Sequence, residues 1–101
     1  MKSFGDMVKQ AQKLQKQMAE VQERLAEERF EASAGGGAVK AVVDGKQMLK
    51  ELAISPDALK DGDAGLLEDL VVAAVGEAQR ASEAKMQETL GKMTGGLGLP
   101  F

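Results

Sequence analysis

The sequence predicts a small α+β domain in the order helix, three strands, helix. Near the start, apolar residues recur at spacings of three and four, which is typical of a helix with one apolar face. The middle of the chain changes to alternating and β-branched runs separated by glycine, which is typical of antiparallel strands. The last third returns to helical spacing. The fold class is therefore a long N-terminal helix, a three-stranded antiparallel sheet and a long C-terminal helix.

Length and composition favour one domain without enzyme chemistry. The 101 residues suffice for one small domain, and the chain has no cysteine and no histidine. Disulfides, thiolate metal ligands and the commonest general base are thereby excluded. The adjacent acidic residues Glu68 and Asp69 point in different directions on a helix and form no acid/base pair. We expect no catalytic residue, no cofactor, no metal and no small-molecule substrate.

The first helix is predicted over residues 3–28, with Ser3 as its N-cap and Asp6 completing a capping box. It would be about 40 Å long, which exceeds the width of a compact domain of this size. Part of it should therefore project or pair with another copy. Its apolar residues occupy the a and d positions of a coiled-coil repeat. This apolar seam consists of Phe4, Met7, Ala11, Leu14, Met18, Val21 and Leu25.

A lysine stripe lies on the face opposite the apolar seam. A helix dipole favours acidic residues at the N-terminal end, by 0.3 to about 1 kcal/mol each, so helix stability does not explain the stripe. Either it is an ordinary solvated face or it binds an anion. Because the net charge is −3, any anion site must be local. The stripe comprises Lys2, Lys9, Lys13 and Lys16, and the same spacing continues with Glu20, Glu23 and Glu27.

Three strands are predicted after the first helix. The first covers residues 30–34 and ends at three glycines, Gly35 to Gly37, which we interpret as a turn and not a phosphate loop, because strand residues follow them. The second covers residues 38–43. Asp44 and Gly45 then predict a two-residue hairpin turn. The third strand covers residues 47–54 and is apolar on both sides, which indicates that both faces of the sheet are partly covered.

The remainder predicts a helical turn from Pro56 to Leu59, a polar loop over residues 60–65 and a second long helix from Leu66 to Met93. Glu68 and Asp69 are placed in its first turn, where the dipole favours them. Its first half carries a broad apolar stripe suited to packing on a sheet, and its second half should project from the body or pair weakly. We expect a single domain over residues 1–93 and a flexible tail over residues 94–101. The stripe consists of Leu67, Leu70, Val71, Ala74, Val75 and Ala78.

Nothing in the sequence indicates secretion or a membrane partner. Residues 1–6 lack the apolar region and the cleavage site of a secretory signal. No apolar run reaches the length of a membrane span. We therefore expect a cytoplasmic protein.

Five short motifs occur in order over nearly the whole chain. They are MVKQAQKLQKQM at residues 7–18, GGGAVKAVVDG at residues 35–45, ISPDAL at residues 54–59, LEDLVVAAV at residues 67–75 and LPF at residues 99–101. In this combination the chain resembles the YbaB/EbfC family of nucleoid-associated DNA-binding proteins. The resemblance implies a tweezers-like homodimer with projecting helical arms. It also implies double-stranded DNA as partner, association with the bacterial nucleoid, and a role in nucleoid organisation or gene expression.

The resemblance assigns DNA contact loosely to the helical arms, and it implies no catalytic motif. Such contacts would go mainly to phosphates, with little sequence specificity. The chain departs from the family at Gly76, where other members often carry asparagine. Its acidic balance also leaves fewer basic residues to hold phosphate. The candidate DNA-binding residues are Lys2, Lys9, Lys13, Lys16, Arg80 and Lys85.

A second hypothesis is a protein-interaction scaffold dimer that acts through the apolar seam. In that case a polar residue in place of Leu14 would abolish the association, while changes to the lysines would have little effect.

Overall fold

The computed structural model describes residues 3–60 and 62–96, and it confirms the predicted α+β order. The molecule is elongated, with extents of 70 × 22 × 16 Å. Within the described ranges no helix is long and apolar enough to cross a membrane. The elements are α1 (Phe4–Glu27), β1 (Arg29–Ala34), β2 (Val39–Asp44), β3 (Leu49–Ile54), α2 (Pro56–Lys60) and α3 (Ala64–Gly96).

The start of α1 is capped as the sequence predicts. The Ser3 side chain accepts a hydrogen bond from the Asp6 backbone N–H at 3.2 Å. Of the apolar seam, only Val21 and Leu25 are buried. Most of α1 therefore extends beyond the body of the domain.

The three strands form one antiparallel sheet in the order β1-β2-β3. Phe30 of β1 pairs with Val43 of β2, and Val39 of β2 pairs with Ile54 of β3. One face of the sheet packs on α3, where Ala74 and Ala78 are fully buried. This confirms the predicted role of the apolar stripe in the second long helix. The buried core of the sheet is Val39, Ala41 and Val43.

The β2–β3 connection differs from the predicted two-residue hairpin. Strand β2 continues through Asp44, and four residues, 45–48, connect it to β3. The Asp44 carboxylate accepts hydrogen bonds from the backbone N–H groups of Lys46 at 2.8 Å and Met48 at 3.0 Å. Gln47, and not the glycine, takes the positive φ of 68°. The Asp44 carboxylate thus stabilises a four-residue turn, whereas the Asp44-Gly45 pair predicted a turn of two residues.

The long helix α3 starts two residues before the predicted Leu66. Asp63 caps it, because its carboxylate accepts from the Leu66 backbone N–H at 3.0 Å. Glu68 and Asp69 consequently lie beyond the first turn, so the prediction that placed them there was wrong. The helix ends at Gly96, three residues past the predicted Met93. Residues 97–101 of the predicted tail lie outside the described residues.

Strand β3 is covered less than predicted. Within one chain, only Ile54 of this strand is partly buried, and its other residues are exposed. Leu49 is 46% exposed and Leu52 is 41% exposed. Within residues 3–60 and 62–96, this edge of the sheet therefore remains largely uncovered.

Candidate nucleic-acid interface

Helix α1 divides into two parts with different surroundings. We call residues 4–17 the free half and residues 18–27 the anchored half. In the free half, Phe4 is 81% exposed and Met7 is 59% exposed, although both belong to the apolar seam. In the anchored half, Val21 and Leu25 are buried. The seam is therefore a core element at one end and a surface at the other.

The anchored half is fixed to the end of the sheet through a close backbone contact. The Gly45 N–H donates to the Leu25 carbonyl at 2.7 Å. A Cβ atom at Gly45 would lie 2.5 Å from that oxygen and 2.8 Å from the Leu25 Cα. Only glycine fits at this crossing without a shift of backbone. Gly45 is therefore needed for packing and not for its turn conformation.

Helix α3 is tied to the same end of the sheet. The Ser82 hydroxyl, which is fully buried, donates to the Asp44 carbonyl at 2.8 Å. The Gln79 amide donates to the Gln47 carbonyl at 3.2 Å. The turn over residues 45–48 thus joins α1, the sheet and α3, and the two long helices leave the body from this point.

Asp44 is ionised although its side chain is only 3% exposed. Burial opposes ionisation, but the backbone N–H groups of Met48 and Lys46 outweigh it, with help from Lys50 and Arg29. The pKa of the Asp44 carboxyl is therefore held below its usual value. The Lys50 ammonium lies 3.7 Å from the carboxylate. This charge therefore has a structural role where α1 and α3 meet the end of the sheet.

Three lysines of the predicted stripe lie on the free half. Lys9, Lys13 and Lys16 are exposed, and no ion pair involves them within residues 3–60 and 62–96. Lys2, the fourth member, lies outside the described residues. The acidic continuation of the stripe is exposed on the anchored half, at Glu20, Glu23 and Glu27. The sign of the charge therefore changes where the burial changes.

The two basic candidates of α3 lie apart from this stripe. Arg80 is exposed, and its side chain runs back beside Gly76, where an added Cβ would make an ordinary contact of 3.5 Å with the guanidinium. Lys85 is half-buried in a cleft that it shares with Arg24 of α1 and with Glu28, the C-cap residue of that helix. The structure thus separates both α3 candidates from the free half.

Arg24 is a basic residue that the sequence reasoning did not select. It is exposed on the anchored half and lines the same cleft as Lys85. No local pattern pairs the two residues, because they lie on different helices far apart in the chain. Only the packing of α1 against α3 brings them together.

The glycine turn after β1 does not form an anion site. It borders a cavity of about 530 Å³ between α2 and the start of α3. The charged residues that line this cavity are Asp57 and Asp63, which would repel a phosphate. The described residues include no group of three or more His, Cys, Asp or Glu that could hold a metal ion. The basic surface of the free half is therefore the best candidate for an anionic partner.

Comparison with known proteins identifies the family of this chain. The sequence model of the YbaB/EbfC DNA-binding family matches residues 1–97. The chain belongs to this family. This confirms the resemblance found in the sequence. YbaB/EbfC proteins are a DNA-binding family, so the family assignment agrees with a candidate surface that is basic and exposed.

Relatives of this YbaB/EbfC protein are similar over almost their whole length. A nucleoid-associated protein of Acetivibrio thermocellus is 46% identical over 96 residues, which cover 95% of this chain and 85% of the relative. One of Saccharopolyspora erythraea is 49% identical over 96 residues, covering 95% and 83% respectively. A solved structure, an uncharacterised protein of Helicobacter pylori, matches with a TM-score of 0.83 at 18% identity. It covers 92% of this chain and 98% of that chain, and it supports the fold alone.

Proposed function

We propose that this protein binds double-stranded DNA with little sequence specificity, through the free halves of α1 in a homodimer. The observation that carries the proposal is the exposed set Lys9, Lys13 and Lys16 on a projecting helix, for which the described part of the chain offers no ion-pair partner. These lysines span about 10 Å of helix. B-DNA carries one phosphate charge per about 1.7 Å of its axis, so roughly six phosphates lie within that length. Lys2 would extend the contact.

The arrangement of charge favours phosphate contact over base readout. The lysines follow a single stripe, and the acidic residues Glu20, Glu23 and Glu27 would repel DNA from the anchored half. Contact would therefore be limited to the outer part of each arm. Arg80 and Lys85 would add a weaker, second contact nearer the body. Sequence discrimination would be weak because phosphates carry no sequence information directly.

The uncovered strand β3 supports a homodimer. Leu49, Leu52 and the neighbouring Met48 expose apolar surface along one edge of the sheet. An edge strand with exposed apolar side chains is a common site of pairing between chains. A symmetric dimer would cover this surface and would duplicate the lysine stripe, which gives the tweezers-like arrangement that the family resemblance implies.

The names of the relatives support a location at the nucleoid. Nucleoid-associated proteins of two different bacteria are identical to this chain at more than two fifths of the aligned positions. A dimer with two basic arms could bridge or coat a duplex. We therefore infer that the protein contributes to nucleoid organisation or gene expression in the cytoplasm.

The exposed apolar seam favours one alternative, a scaffold dimer that binds other proteins. Phe4 and Met7 present apolar surface on the same helix that carries the lysines. In this alternative the seam, and not the stripe, forms the contact. Substitution of Leu14 by aspartate would then abolish the association, whereas loss of the lysines would not.

The test is fluorescence anisotropy of a labelled random-sequence duplex, titrated at several salt concentrations. If the dimer neutralises roughly six phosphates, the log–log plot of affinity against salt should have a slope of about −5. A second duplex of unrelated sequence should bind with similar affinity. Absence of binding at low salt would leave the scaffold as the better account. Sedimentation at micromolar concentration tests the dimer separately, and a monomer there would contradict the tweezers arrangement.

A further inference from the structure

One face of α1 carries both signs of charge in two separate blocks. Three exposed lysines lie on the free half, and three exposed glutamates continue the same stripe on the anchored half. Within residues 3–60 and 62–96, none of the six takes part in an ion pair. We call this set the charged face, and it consists of Lys9, Lys13, Lys16, Glu20, Glu23 and Glu27.

The charged face is symmetric about the level of Met18, with the sign of the charge reversed. Each lysine has a glutamate at the same separation on the other side of that level. The pairs are Lys16 with Glu20, Lys13 with Glu23 and Lys9 with Glu27, at two, five and nine residues from Met18 respectively. A second α1 that is turned end for end about this level would therefore place a glutamate opposite every lysine.

The dimensions of a helix allow this antiparallel arrangement. The charged face extends over 18 residues of one continuous helix, which is about 27 Å. Its members follow one another at steps of four and three residues, so they remain on one side of the helix. Packed helices have their axes about 8–10 Å apart, a distance that the long side chains of lysine and glutamate can bridge. In a parallel pair in register, lysines would instead face lysines and glutamates would face glutamates.

The charged face is separate from the apolar surfaces of the protein. Helix α3 meets α1 at Val21 and Leu25, which belong to the seam on the opposite side. A contact through the charged face therefore requires no separation of α1 from α3. It also leaves the exposed residues of β3 open.

We propose that α1 binds α1 of a second copy of this protein through the charged face, antiparallel and centred on the level of Met18. The contact is its own mirror in sequence, so a two-fold axis repeats each of the three kinds of ion pair. Exposed ion pairs are individually weak and are screened by salt, so the association is reversible and depends on salt concentration. The inference goes beyond the proposed function, and it gives the three glutamates a role that contact with DNA does not.

Two double variants of identical net charge test the pairing. Lys13→Glu with Glu27→Lys makes positions 9 and 27 both basic and positions 13 and 23 both acidic, so two of the three kinds of pair become repulsive. The control is Lys13→Glu with Glu23→Lys, which exchanges one pair and keeps opposite charges at all three. Each variant retains the net charge of −3.

The measurement is sedimentation at about 0.01 M and about 1 M salt, where the Debye length is about 30 Å and about 3 Å. The native protein and the control should have a larger mass at the lower salt concentration. The repulsive variant should have an association constant lower by at least roughly tenfold. Equal association of the two variants, or a native mass that does not depend on salt, would overturn the proposal. Equal circular dichroism of the variants reports that α1 is intact in both.

Chemical cross-linking tests the register of the contact. A carbodiimide joins an amine directly to a carboxylate, and Lys13 and Glu23 of one helix are about 15 Å apart, too far for such a bond. In a mixture of isotopically labelled and unlabelled native protein, we expect a bond from Lys13 of one chain to Glu23 of the other. Cross-links from Lys13 only within one chain, or only to carboxylates outside α1, would refute the antiparallel register. Neither measurement uses DNA, so the outcome is independent of the proposed function.

Discussion

The anchored and free halves of α1 have the same apolar spacing, yet they differ in cover and in charge. Val21 and Leu25 are buried in the anchored half, which carries the acidic side of the stripe. Phe4 and Met7 are exposed in the free half, which carries the lysines. The comparison shows that one continuous helix contributes to the core at one end and presents an exposed surface at the other. The lysines lie towards the N-terminal end of the helix, where its dipole disfavours positive charge, so helix stability does not explain them.

The largest expected effect on the free energy of unfolding comes from the anchored half. Leu25→Ala should lower it by about 3 kcal/mol, because Leu25 is only 4% exposed and its removal leaves a cavity. Met7→Ala, at an exposed seam position in the free half, should change it by less than about 0.5 kcal/mol. Denaturant unfolding measures both values. Equal losses of unfolding free energy in the two variants would show that the free half packs on the domain as tightly as the anchored half.

The close approach at Gly45 predicts the next largest effect. Gly45→Ala should destabilise the fold by about 2 kcal/mol, since the new Cβ would collide with the Leu25 backbone. The control is Gly91→Ala in α3, where an added Cβ meets nothing within 4 Å. That change should stabilise the protein by up to about 1 kcal/mol through helix propensity. Thermal unfolding of the two variants should give shifts of opposite sign, and a harmless Gly45→Ala would contradict the anchoring contact.

Asp44 predicts a smaller effect that depends on pH. Asp44→Asn should cost about 1 kcal/mol at pH 7, because the charged hydrogen bonds to the turn are weakened. The pKa of Asp44 is lowered in the folded state, so its stabilising contribution is complete above the unfolded pKa of about 3.9 and is lost as the pH falls below it. The difference in unfolding free energy between wild type and variant should therefore shrink below about pH 4. A difference that stays constant from pH 7 to pH 3 would contradict this role.

The smallest effect on stability is expected in the lysine stripe. Replacing Lys9, Lys13 and Lys16 together by glutamine should change the free energy of unfolding by no more than about 0.5 kcal/mol, because these side chains are exposed and have no ion-pair partner among the described residues. Denaturant unfolding again provides the measurement. A large loss would mean that the stripe supports the fold, and the division between the halves of α1 would need revision.

Local patterns in the sequence predicted most of the fold. The Ser3 cap, the β-branched run of β2 and the apolar stripe of α3 each depend on neighbours within a few residues, so spacing alone reveals them. The turn after Asp44 was predicted wrongly, because its geometry depends on a buried carboxylate and on the approach of Gly45 to Leu25. Such long-range contacts leave no periodic signal in the sequence.

The candidate site was predictable only as a pattern of charge. Spacing placed Lys9, Lys13 and Lys16 on one face, but it did not reveal where α1 leaves the body. The cleft that joins Arg24 to Lys85 likewise requires the packing of two helices that are distant in the chain. Exposure of the lysines and cover of the seam are both properties of the tertiary structure.

The most direct test of the account compares how DNA affinity depends on salt in two variants of equal charge. One replaces Lys9, Lys13 and Lys16 of the arm by glutamine, and the other replaces Lys40, Lys46 and Lys60 of the body. If the free half binds phosphate, the arm variant should lose affinity for DNA. The slope of its log–log plot of affinity against salt concentration should become shallower by roughly 0.9 per lost phosphate contact. The body variant should keep nearly the slope of the native sequence. Equal slopes in the two variants would contradict the assignment of DNA binding to the free half of α1.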